Sequence, residues 1–139
     1  MAERLELDVV TPERRVLHAE VQEVTAPGVL GEFGVLPGHV LFVTGLQPGV
    51  VVYRGVQGDS ERAFAVGQGF IEIAADKVTL LVDTAEPAEE IDTGRAEAAR
   101  ERAAQRLKEL ASESPEFAEA QAALRRAEAR VAASAKVLR

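Results

Sequence analysis

Few side chains in this 139-residue sequence have the types and spacing for chemistry. Cysteine is absent, and the two histidines, His18 and His39, lie in unrelated stretches. No Gly-x-Ser-x-Gly elbow occurs, and no serine or threonine stands beside a recognisable base. A phosphate loop needs Gly-Lys followed by Ser or Thr, and no Gly-Lys pair is present. The run GVLGEFG at 28–34 therefore reads as turn chemistry. One constellation remains. Asp92 and Arg95 open an Ala-rich segment, and Arg126 and Arg130 stand one helical turn apart near its end. Guanidiniums grip phosphate bidentately, so three of them brought together could hold a phosphate chain. The competing reading is a set of solvated helix charges. Neither a catalytic residue nor a metal site is expected.

The elements that must position these residues divide into two kinds. Ten of the eleven glycines precede residue 70, and sixteen alanines follow residue 87, which puts a boundary near Pro87. Before it, Leu5, Leu7 and Val9 alternate with Glu6 and Asp8, the period-2 signature of a half-buried strand. Pro-Gly pairs at 27–28, 37–38 and 48–49 predict turns, with glycine supplying positive φ. Further short apolar runs, with Ala75-Asp76-Lys77 as a tight turn, bring the expectation to eight to ten strands in a β-sandwich or flattened barrel.

Beyond the boundary the periodicity becomes helical. Asp92 is the expected N-cap of a helix from Thr93 to Leu110, whose stripe is Ala96, Ala99, Ala103, Leu107 and Leu110. Ser112 to Pro115 breaks it, with Ser114 as a possible cap and Pro115 at a tolerated first position. A second stripe of Phe117, Ala120, Leu124, Ala127, Val131 and Leu138 completes an antiparallel hairpin. Alanine favours helix but buries little area. The hairpin should hold its helicity well and its packing weakly, as an element that can detach; a static hairpin is the alternative.

Charge and composition exclude several classes. Residues 1–87 hold 6 Lys/Arg against 13 Asp/Glu, whereas residues 88–139 hold 10 of each. An acidic body argues against nucleic acid as a partner. From Leu124 onward Arg125, Arg126, Arg130, Lys136 and Arg139 face only Glu128, a basic tip suited to an acidic surface or a phosphate. No apolar run approaches the roughly 20 residues of a membrane-spanning helix. The expectation is a soluble intracellular protein.

Read together, LDVVTPER at 7–14, GEFGVLPGH at 31–39, GLQPG at 45–49, GFIEI at 69–73, VTLLVDTAE at 78–86 and IDTGRA at 91–96 resemble the epsilon subunit of bacterial F-type ATP synthase, called delta in mitochondria. The resemblance runs along the whole chain. It implies a ten-stranded N-terminal β-sandwich over 1–86 and a regulatory C-terminal two-helix hairpin over 87–139. It also implies a non-catalytic rotor subunit that binds gamma and rests on the c ring, coupling proton-driven rotation to ATP synthesis. Such a subunit lies at the cytoplasmic face of the bacterial inner membrane, peripherally, through the complex. Its helices either fold on the sandwich or extend into the alpha/beta head, where they inhibit ATP hydrolysis. Carried over by position, Glu32 and His39 face the c ring and gamma, and Arg125, Arg126 and Arg130 meet the head when extended. IDTGRA matches an ATP-binding pattern of some bacterial members. That makes Ile91, Asp92 and Arg95, with Glu86, Arg126 and Arg130, contacts for ATP as a regulatory ligand, although no cofactor is required. Gly94 departs from good helix chemistry inside that pattern. The alternative function is an ATP-sensing module whose hairpin closes on nucleotide; a third reading is an unrelated sandwich interaction domain.

Overall fold

The computed structural model describes residues 4–38, 41–56 and 61–137. Among them are nine strands: β1 (Leu5–Val10), β2 (Arg15–Gly28), β3 (Gly31–Val35), β4 (Phe42–Leu46), β5 (Gly49–Gly55), β6 (Glu61–Val66), β7 (Gly69–Ala74), β8 (Lys77–Val82) and β9 (Ala85–Pro87). A 3-10 turn at Ala88–Glu90 leads into α1 (Thr93–Glu109) and α2 (Pro115–Val137). The count is near the ten that the resemblance implies, because the 14-residue β2 serves both layers. Its first half pairs with β1, and its second half pairs with β3 and β5. The register shift between Val21 and Glu23 marks where it passes from one layer to the other. One layer runs β1-β8-β7-β4 and the other β3-β2-β5-β6-β9. Leu5, Leu7, Val9, Val24, Val51, Ile71, Ile73 and Leu80 fill the space between them and are fully buried.

The positive φ expected of the Pro-Gly pairs needs correcting at two of three sites. Only Gly38 takes the positive φ, at 86°. Pro27 and Gly28 end β2, and the turn falls at Val29-Leu30, with Gly31 in the positive-φ position. Gly28 and Gly49 are required for room instead. A Cβ on Gly49 would stand 2.6 Å from the Cβ of Pro27, and one on Gly28 would stand 2.8 Å from the Gly31 carbonyl. The two loops are thus pressed together at a corner of the sandwich.

A second, smaller core joins the hairpin to the outer face of β5 and β6. Ala63 and Ala65 of the sheet meet Ala88, Ile91, Ala96, Ala129 and Ala133, with Val50, Val52 and Val131 at the margin. The contact is mainly alanine on alanine. Small residues allow close approach while removing little apolar area from water.

Candidate functional site

Asp92 starts α1 as expected: its Oδ1 accepts from the Arg95 backbone N–H at 3.1 Å. Its backbone carbonyl accepts from Ala96 N–H. Ser114 does not cap α2 through its side chain; its hydroxyl is buried without a partner, and only its carbonyl takes the Phe117 N–H. The antiparallel hairpin then lays the end of α2 beside the start of α1. A cleft of about 340 Å³ opens there, lined by Glu86, Ile91, Asp92, Arg95 and Arg130, with Arg102 at its wall. Five of the six carried-over residues therefore meet in one place. Arg126 lines three neighbouring clefts, of about 530, 300 and 250 Å³, and Arg130 lines the first and last of these as well.

Arg130 Nε donates to Glu86 Oε1 at 3.0 Å, so that guanidinium is paired across the cleft. Ile91 sits mainly in the small apolar core, with its side chain forming the floor. Sequence reasoning passed over Arg102 and Arg106. Arg102 follows Arg95 by two helical turns and Arg106 follows Arg102 by one, so the 3.6 period was the available signal. With Arg126 and Arg130 opposite, the groove between the helices is lined by cations from both sides.

The basic tip is engaged as well. Arg125 Nη1 donates to Gln47 Oε1 at 3.1 Å, which ties α2 to the β4–β5 turn. Glu32 is exposed on β3, apart from the cleft. His39 lies outside the described residues.

The outer face of β4, β7 and β8, in the layer the hairpin leaves free, carries exposed apolar side chains. Phe70 pairs with Leu81, and Val43 lies two residues along the same face, opposite the exposed Glu72. Their exposures are 62%, 52% and 58%. Leu30, 96% exposed, projects from the neighbouring β2–β3 turn. Beyond β8 the face becomes charged. Asp8, only 4% exposed, is covered by His18, Arg15 and Lys77, at 2.6, 3.6 and 3.5 Å. Burial works to raise the Asp8 pKa. The hydrogen bond from His18 and the charges of Arg15, His18 and Lys77 outweigh it, holding the carboxyl below its ordinary value. Glu6, Asp8 and His18 bring ligand-type atoms within 4.8 Å of one another, but Arg15 and Lys77 already occupy the Asp8 charge.

These parts define a two-body protein: a β-sandwich with one free apolar face and, on its other layer, a lightly docked helical hairpin that closes an arginine-lined cleft. Residues 4–88 match the family described as "ATP synthase, Delta/Epsilon chain, beta-sandwich domain". Residues 89–135 match "ATP synthase, Delta/Epsilon chain, long alpha-helix domain". The chain belongs to the ATP synthase delta/epsilon chain family. It is 50% identical over 141 residues to the ATP synthase epsilon chain of Geotalea uraniireducens, covering 100% of this chain and 99% of that one. It is 48% identical over 131 residues to ATP synthase epsilon chain 2 of Syntrophotalea carbinolica, covering 94% of each. Its fold is similar to a chain in the Euglena gracilis mitochondrial ATP synthase structure of OSCP, F1 and c-ring, with a TM-score of 0.81. That match has 23% identity and covers 100% of this chain and 84% of the other.

Proposed function

We propose that the chain is a non-catalytic central-stalk subunit of an F-type ATP synthase. It couples rotation of the c ring to ATP synthesis in the alpha/beta head and restrains ATP hydrolysis through its C-terminal helices. The observation that carries this reading is the free apolar face of Val43, Phe70 and Leu81, edged by the Asp8 charge group. An apolar centre with a polar rim is the anatomy of a protein interface, and the gamma subunit is its proposed occupant. On this reading Glu32, exposed on β3, and the neighbouring Leu30 of the β2–β3 turn would face the c ring. Among the described residues no helix is long and apolar enough to cross a membrane. In the proposed role the chain is held peripherally, through its partners, at the cytoplasmic face of the inner membrane. Co-purification with gamma and c subunits tests the reading. A Phe70→Glu/Leu81→Glu variant should fold, keep its hairpin docked and lose gamma. Retention of gamma by that variant would remove the apolar face from the interface.

A second reading concerns the cleft, where ATP is proposed as a regulatory ligand. The convergence of Glu86, Ile91, Asp92, Arg95 and Arg130 on one cleft favours it. Phosphates would compete with Glu86 for Arg130, and Arg126 and Arg102 supply further cations from the walls. Calorimetric titration of the isolated chain with ATP should show binding that an Arg126→Ala/Arg130→Ala variant loses. Absence of binding at millimolar ATP would reduce IDTGRA to a helix start and leave the stalk role intact.

A further inference from the structure

Among the described residues, two side-chain polar contacts cross from α2 to the sandwich. One is Arg130 with Glu86, inside the proposed nucleotide cleft. The other is Arg125 with Gln47, outside it. The second contact has unusual support. The Gln47 amide Nε2 donates to the Gly28 carbonyl at 3.0 Å, and its backbone N–H donates to the Pro27 carbonyl at 3.0 Å. With both donors fixed at the crowded Pro27–Gly49 corner, its Oε1 is aimed at the helix. Between that corner and the first half of α2 lies a gap of about 300 Å³, lined by Val29, Gln47, Asp83, Gln121 and Arg125, with Arg126 on the side toward the cleft residues. Arg125 spans this gap. The apolar docking core, by contrast, lies further along α2, at Ala129, Val131 and Ala133.

We propose that Arg125 and Gln47 form a latch, independent of nucleotide, that sets the fraction of hairpins docked on the sandwich. It rests on the reading that the hairpin leaves the sandwich during the working cycle. A ligand that takes Arg130 from Glu86 leaves the Arg125 contact intact. A partner that takes Arg125 releases the first half of α2 while the cleft contacts remain. Docking through alanines gives the latch its leverage: one hydrogen bond is a substantial share of a weak interface.

The chain has no cysteine, so one introduced thiol reports docking without background. Ala129 is 5% exposed within the docking core. The labelling rate of Ala129→Cys in the full-length protein therefore reads the docked-to-released ratio even when release is rare. Without nucleotide, adding Arg125→Ala should speed labelling by roughly threefold to tenfold, with helicity and sandwich stability retained. Gln47→Ala should speed it similarly, and the double variant should go no faster than the faster single one, because both remove the same contact. An unchanged rate in Arg125→Ala, or fully additive effects in the double variant, would overturn the latch. A separate arm adds millimolar ATP to the parent. If ATP fails to slow labelling while Arg125→Ala still speeds it, the nucleotide reading falls and the latch stands.

Discussion

Asp8 shows how far the face of a strand can be misread one residue at a time. Alternation assigns it outward with Glu6, and outward it is, yet it is almost completely covered. The cover comes from β2 and β8, whose register places His18 opposite Asp8 and Thr79 on its other side, with Arg15 and Lys77 closing in. No local pattern carries that information. The consequence is a pH-dependent term. The Asp8 pKa is lower in the folded protein than its ordinary value of 3.8. Its contribution to stability is therefore complete above that value and is lost as the pH falls through the folded one. Asp8→Asn should cost about 1–2 kcal/mol at neutral pH. The gap from the parent should close in acid below the ordinary carboxyl value, as followed by urea unfolding at stepped pH. A constant gap down to pH 2 would show that packing, and not charge, holds the residue. Ala75 offers the opposite case. It takes φ 51° beside Asp76 at 62°, the paired left-handed geometry of a two-residue hairpin turn. That conformation costs an alanine roughly 1–2 kcal/mol, and asparagine adopts it more readily. Ala75→Asn should raise stability by about 0.5–1 kcal/mol; a lower melting temperature would refute this. Asp76 should stay, because its Oδ1 holds the Gly38 N–H.

Among the elements, the helices were legible in outline and opaque in orientation. The N-cap at Asp92, the break before Pro115 and the facing stripe at Ala96, Ala103, Ala120 and Ala127 are all visible as spacing. The second buried face of α2, at Ala129 and Ala133, is not. Alanine is placed on every side of this helix, so a stripe of it marks no unique direction. Only contact with Ala63 and Ala65 of β6 decides which alanines are inside. The strands raise the reverse difficulty: Pro-Gly is strong turn chemistry, yet at 27–28 and 48–49 the glycine is needed for close packing of loops and not for a positive φ. Gly94 is a cleaner case. It stands in the first turn of α1, and a Cβ there would meet nothing nearer than Asp92 Oδ1, at 3.5 Å. Gly94→Ala should therefore stabilise α1 by a few tenths to about 1 kcal/mol, seen as a higher midpoint of helical melting. No gain would mean that the first turn relies on glycine for the approach of the Asp92 cap.

At the scale of the whole molecule, two cores of unequal strength divide the work. Among the described residues, the inner core of the sandwich is closed by nine strands and draws no residue from α1 or α2. The outer core consists largely of alanine. Removing residues 88–139 therefore exposes Val50, Val52, Ala63 and Ala65 while leaving the larger core untouched. Such a truncated chain should fold cooperatively, with a loss of no more than a few kcal/mol, because the newly exposed area is small. It should still bind gamma, since Val43, Phe70 and Leu81 lie on the layer away from the hairpin. It should also couple rotation to synthesis while losing any restraint on hydrolysis that the helices impose. Calorimetric melting of the fragment, followed by reconstitution with the remaining subunits, separates these outcomes. A fragment that melts without cooperativity would make the hairpin part of the fold. A folded fragment that fails to bind gamma would move the interface onto the helices. Folding, binding and unrestrained hydrolysis together would assign attachment to the sandwich and regulation to the hairpin.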